Sequence, residues 1–117
     1  MNKQDTQMTV VISSDTFGEG PKELGKILLK NYIYTLTELE ALPNAIIFLN
    51  SGAFMTSQES GVLEDLENLQ SRGVEILTCG SCIDYYNLQN KLAVGKITTM
   101  YNIAEIMSTA SKLININ

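Results

Sequence analysis

The chain has 117 residues, eight basic and thirteen acidic, for a formal charge of −5, and it holds two cysteines and no histidine. That length suits a single hydrophobic core and one domain. Without histidine, the chain cannot build a Ser-His-Asp triad, a Cys-His dyad, a histidine base or a His-ligated metal site. The few basic residues form no stripe of the kind nucleic-acid binding needs, so no nucleic-acid partner is expected.

Residues 1–7 are polar and read as a tail or linker remnant ahead of a domain at 8–117. They lack the apolar core of a secretory signal, and no run of about eighteen apolar residues follows. A cytoplasmic chain with no membrane segment is expected. Thiols stay reduced in the cytosol, so Cys79 and Cys82 are not expected to form a permanent disulfide.

Residues 8–14 form a short β-branched apolar run and predict a buried strand. A glycine-bearing turn at 15–20 leads to Pro21, placed where a helix begins. Leu24, Ile27, Leu28, Leu36 and Leu39 share a helical face, which predicts a helix to about Leu42, interrupted near 35–37. A second strand is expected at 45–50 and a polar loop at 51–60. Val62, Leu63, Leu66 and Leu69 recur at helical spacing, and Gly73 stands where such a helix would end. A third strand is expected at 74–78, followed at once by Cys79-Gly80-Ser81-Cys82 and a short helix at 83–90. A fourth strand at 96–100, a helix capped by Asn102 and a short strand at 113–116 complete the chain.

Strands alternating with helices predict an α/β domain with a mainly parallel sheet. Right-handed crossovers then gather the strand C-termini at one edge, where such sheets bind ligands. Three loops are expected there: 13–20, 50–56 and 79–82. They supply the candidate contacts Ser14 and Phe17, then Asn50, Ser51 and Gly52, then Gly80 and Ser81. Phe17 is placed as a lid or contact over the cysteine loop.

A cysteine between a strand and a helix meets backbone N–H groups that stabilise its thiolate, the reactive form. Such settings lower a thiol pKa from about 8.5 to roughly 3.5–7.5. The competing reading is two small buried packing residues. The glycine-containing turn and its place at the ligand-binding edge favour reactivity. A thioredoxin motif would come earlier in the chain and face a cis-proline loop, whereas the two prolines here are Pro21 and Pro43. A zinc site needs four ligands, and two cysteines supply half of one. No cofactor or metal is therefore expected. Of Tyr85 and Tyr86, one is expected to pack inward and the other to line a site or an interface.

The segments S-S-D-T-F-G-E-G (13–20), F-L-N-S-G-A (48–53), G-V-E-I-L-T-C-G-S-C-I-D-Y-Y (73–86) and K-I-T-T-M-Y (96–101) resemble the C-terminal domain of the YedF family. That family is sulfurtransferase-like and linked to selenium metabolism. Its domain is similar to the wider DsrE/DsrF/DsrH-like group, which includes TusD-type sulfur-relay subunits. The resemblance implies a three-layer α/β/α sandwich with a mostly parallel sheet of about five strands, and self-association into a homo-oligomer. It also implies sulfur or selenium carried as a persulfide, or its selenium analogue, on Cys79. Cys82 would be the resolving or relay thiol. The implied partner is a donor or acceptor protein, such as the TusA-like domain that precedes this one in YedF chains; residues 1–7 are too short to hold that domain. Two other functions compete: a binding module in which the cysteines only shape a loop, and a redox-sensing dithiol.

Overall fold

The structure, a computed structural model, describes residues 7–117, so the expected tail lies outside the described residues apart from Gln7. Five segments form the strands β1 (Met8–Ile12), β2 (Ala45–Phe48), β3 (Glu75–Cys79), β4 (Lys96–Thr98) and β5 (Lys112–Ile116). They pair in the order β4-β3-β2-β1-β5, all parallel. The central strand β2 is buried on both faces, as its unbroken apolar run requires: Ile46, Ile47 and Phe48 expose nothing. Four helices connect the strands: α1 (Lys22–Leu36), α2 (Leu63–Ser71), α3 (Gly80–Tyr85) and α4 (Met100–Thr109). A 3-10 helix spans Asn50–Thr56.

From β1 to β4 the chain steps along the sheet in one direction, then returns past three strands to place β5 beside β1. Right-handed crossovers put the outward and return connections on opposite faces. The core clusters agree with that. Leu29 and Ile33 of α1 and Leu66 and Leu69 of α2 pack on Val10, Ile12, Ile46, Phe48 and Ile76. Ile103 of α4 packs on the opposite face with Val11, Ile47, Leu77 and Cys79. The three-layer α/β/α sandwich with five parallel strands is therefore present. Among the described residues no helix is long and apolar enough to cross a membrane.

Helix α1 uses a different face from the expected one. Gly25, Leu29, Ile33 and Leu36 are buried, while Leu24, Ile27, Leu28 and Leu39 are exposed. The reason lies at Gly25. A Cβ there would stand 2.7 Å from the Thr16 Cβ, so the buried stripe begins on a residue with no side chain for a pattern to register. The helix also stops at Leu36, with no continuation to Leu42; Thr37 caps it.

The end of α2 follows the sequence reading. Gly73 adopts φ 97°, and the N–H groups of Gly73 and Val74 donate to the carbonyls of Gln70 and Leu69. This is a Schellman arrangement, which a left-handed glycine closes at little cost. Helix α4 starts earlier than expected. Thr99, not Asn102, is its cap: the Thr99 Oγ1 accepts from the Asn102 N–H at 3.2 Å. Thr99→Ala is expected to cost about 1 kcal/mol, measured by urea unfolding, because it leaves that N–H without its side-chain acceptor.

Candidate functional site

Helix α3 begins on the residue after β3 ends, so Cys79 closes the strand and Cys82 sits in the first turn of the helix. Both thiols are free. Their environments differ. Cys79 points to the α4 side of the sheet, packs among Val11, Ile47, Leu77 and Ile103, and is only 2% exposed. Cys82 is half-buried.

The 3-10 helix after β2 supplies the polar contact to the pair. Asn50 opens it with φ 51°, a left-handed conformation that few residues other than glycine adopt and asparagine tolerates best. This turn directs the Asn50 N–H onto the Cys82 Sγ at 3.0 Å. The Asn50 side chain is held in turn, since the Tyr86 Oη donates to its Oδ1 at 3.1 Å. Tyr86 is braced by the Phe54 ring at 4.7 Å between centroids and by the Tyr85 ring edge-on at 5.2 Å.

These groups surround an open cavity of about 440 Å³. Its lining is Leu49 and Asn50 after β2, Cys79, Ser81, Cys82, Tyr85 and Tyr86 from the end of β3 onward, and Met100 after β4. No lining residue is charged. Burial pushes the Cys82 thiol above its ordinary pKa, the Asn50 N–H pulls it down, and the neighbouring Cys79 pushes it up again. The net shift is upward. With six residues, α3 is too short for a helix dipole to outweigh burial.

The three expected loops do not all reach this cavity. Asn50, Ser81 and both cysteines line it. Gly80 lies against β4 instead, where an added Cβ would meet Ile97 and the Thr98 carbonyl at 3.4 Å. Ser51 accepts the Asp15 N–H at 3.1 Å and so ties the loops after β1 and β2 together. Ser14 caps its own turn, accepting from the Thr16 N–H. Gly52 is a packing position, set against the Ile12 carbonyl. Phe17 is no lid: it packs on the α1 side of the sheet, edge-on to Tyr32 at 6.0 Å. Strand order explains the split. β1 is separated from β3 by β2, and the loop after β1 folds back on α1 through the Phe17 N–H to Gly25 carbonyl bond.

Leu49 and Met100 were not legible as site residues. Leu49 ends an apolar strand, and Met100 reads as part of β4 until Thr99 is seen to cap a helix there. Tyr85 and Tyr86 both line the cavity, Tyr86 half-buried and Tyr85 exposed.

No protein-family model and no curated protein matches the chain. Solved structures do match it. The YchN protein of E. coli superposes with a TM-score of 0.73 at 14% identity, covering 95% of this chain and 99% of that one. A protein of unknown function from Methanobacterium thermoautotrophicum, MTH1491, gives 0.68 at 16% identity over 92% and 96% of the two chains. Another of unknown function from Bacteroides thetaiotaomicron, BT1422, gives 0.65 at 12% over 97% of each. Likeness at these identities establishes the architecture, and the chain has the five-stranded parallel α/β fold of the YchN type.

Proposed function

We propose that this chain carries sulfur, or selenium, by thiol exchange at the Cys79–Cys82 pair. The observation that carries the reading is two free thiols in one strand-to-helix turn, opening on an uncharged cavity, with a backbone N–H on one sulfur. A cysteine thiolate attacks the outer sulfur of a donor persulfide and takes it up as Cys-S-SH. An acceptor thiolate then removes that sulfur and restores the carrier. The step needs no histidine, metal or organic cofactor. The YchN-type fold supports the reading through the sulfur-relay role implied by the sequence resemblance.

The donor or acceptor in this proposal is a protein presenting a cysteine, of which a TusA-like domain is the type. Self-association is proposed through the outer stripe of α1, where Leu24, Ile27 and Leu28 stand exposed together. The binding-module and redox-sensor readings predict no bound sulfur, so one assay separates them. The reduced protein is treated with a low-molecular-weight persulfide, desalted and assayed for cyanide-labile sulfur. About one equivalent is expected in wild type and none in the Cys79→Ser/Cys82→Ser variant. No labile sulfur in wild type, or equal amounts in both, would overturn the reading.

A further inference from the structure

We propose that Cys82 is the thiol that receives the incoming sulfur, that Asn50 is its positioning residue, and that Cys79 acts second, from beneath. This rests on the sulfur-carrier reading of the same site and reverses the order implied by the sequence resemblance. Attack on a donor sulfur requires the nucleophile to reach it in line from the cavity. Cys79 is 2% exposed and enclosed by Val11, Ile47, Leu77 and Ile103, so a donor of any size meets Cys82 first. Cys82 also holds a directed N–H donor in its own contact with Asn50 at 3.0 Å.

That contact is built. An N–H pointed at sulfur favours the anion, both before attack and when the sulfur later departs. The N–H takes this direction because Asn50 is left-handed, at φ 51°. The Tyr86 hydroxyl fixes the Asn50 side chain, and Phe54, from the same 3-10 helix, packs at a tilt against Tyr86. Phe54, Tyr86 and Asn50 are therefore linked in one chain of contacts that holds the Asn50 N–H on the Cys82 sulfur. Besides the two thiols, the titratable groups lining the cavity are the Tyr85 and Tyr86 phenols.

The steps balance. The Cys82 thiolate attacks the outer sulfur of R-S-SH; a Cys82 S–S bond forms, the donor S–S bond breaks, and its electron pair leaves with R-S⁻. The proton stays on the outer sulfur. An acceptor thiolate can take that sulfur without net redox change. Alternatively, and more slowly than loading or transfer because Cys79 is buried, the Cys79 thiolate attacks the Cys82 Sγ, forming a Cys79–Cys82 disulfide and expelling HS⁻. The dithiol then loses two electrons and the carried sulfur gains two. An external thiol reductant returns the pair to the dithiol.

Three variants and two readouts test the order. Cys79→Ser, Cys79→Ala and Cys82→Ser are pulsed with iodoacetamide, and separately loaded with a low-molecular-weight persulfide and weighed intact. Both Cys79 variants are expected to label at or above the wild-type rate, since Cys79 raises the Cys82 pKa, and to gain one sulfur atom. Cys82→Ser is expected to label and load at least about tenfold more slowly. Fast labelling of Cys82→Ser, or equal rates in all variants, would overturn the proposal. The alkylation readout decides the order even if no protein accepts sulfur, an outcome that would sink the carrier reading alone. For Asn50, the readout is the pH profile of Cys82 labelling in the Cys79→Ser background. Asn50→Val, which resists the left-handed conformation, should move the profile to higher pH and slow labelling about threefold below its midpoint. Asn50→Gly, which keeps that backbone, should restore the profile. A profile unmoved by valine would remove Asn50 from its role.

Discussion

Gly52→Ala is expected to melt about 10 °C below wild type. The added Cβ would lie 2.4 Å from the Ile12 carbonyl oxygen, 3.2 Å from its carbon and 3.4 Å from the Ser14 nitrogen. All three atoms are backbone, so no side chain can swing aside. Nor is the Ile12 carbonyl free to move, since it also accepts the Leu49 N–H at 2.9 Å. The strain must therefore push the 3-10 helix outward, at a cost of about 3 kcal/mol or more. Asn50 lies two residues away in the same helix, so its N–H leaves the Cys82 sulfur and labelling of that thiol shifts to higher pH. Gly61→Ala is the matched control. A Cβ there meets nothing within 4 Å, and its stability should stay within about 0.5 kcal/mol of wild type. Differential scanning calorimetry of the two variants checks both values. Equal melting temperatures would show that the loop after β2 is not held against β1 as described.

A second large effect concerns charge. The cavity is lined by aromatic, aliphatic and neutral polar groups, and the chain as a whole carries −5. An anion entering it loses water and gains no cation, which costs more than for a neutral molecule of the same shape. Iodoacetamide and iodoacetate form such a pair. Their rate ratio on Cys82, divided by the same ratio on the urea-unfolded chain, is expected to be about tenfold or more, close to 1.4 kcal/mol. Met100→Lys, which places an ammonium at the rim, should bring the ratio back towards one. A ratio of one in wild type would mean that the thiol is approached from bulk solvent.

How far the sequence could be read is clearest element by element. β2 was legible because a strand buried on both faces needs a short unbroken apolar run, which Ala45–Phe48 has. The end of α2 was legible because Gly73 is the one residue there suited to φ 97°. The buried face of α1 was not, because apolar residues surround that helix and its inward stripe starts at Gly25. Among the residues lining the cavity, Cys79 and Cys82 were legible as candidates from their place after β3, and Asn50 from its place after β2. Asn50's part was hidden, because a backbone N–H has no signature in the side-chain sequence and its direction depends on one left-handed φ. Phe17 was misplaced because arrival at the same sheet edge does not fix which side of the sheet a loop folds towards. The raised Cys82 pKa was not legible, because burial depends on the folded structure.

The central claim is reversible carriage of one sulfur atom by the Cys79–Cys82 pair. Intact-mass measurement of one sample in two stages tests it most directly. The reduced protein is first exposed to an organic persulfide and weighed, then to an excess of acceptor thiol and weighed again. The account predicts a gain of one sulfur atom in the first stage and its complete loss in the second, with the sulfur recovered on the acceptor. A mass unchanged by the donor, or a sulfur that the acceptor cannot remove, would contradict it.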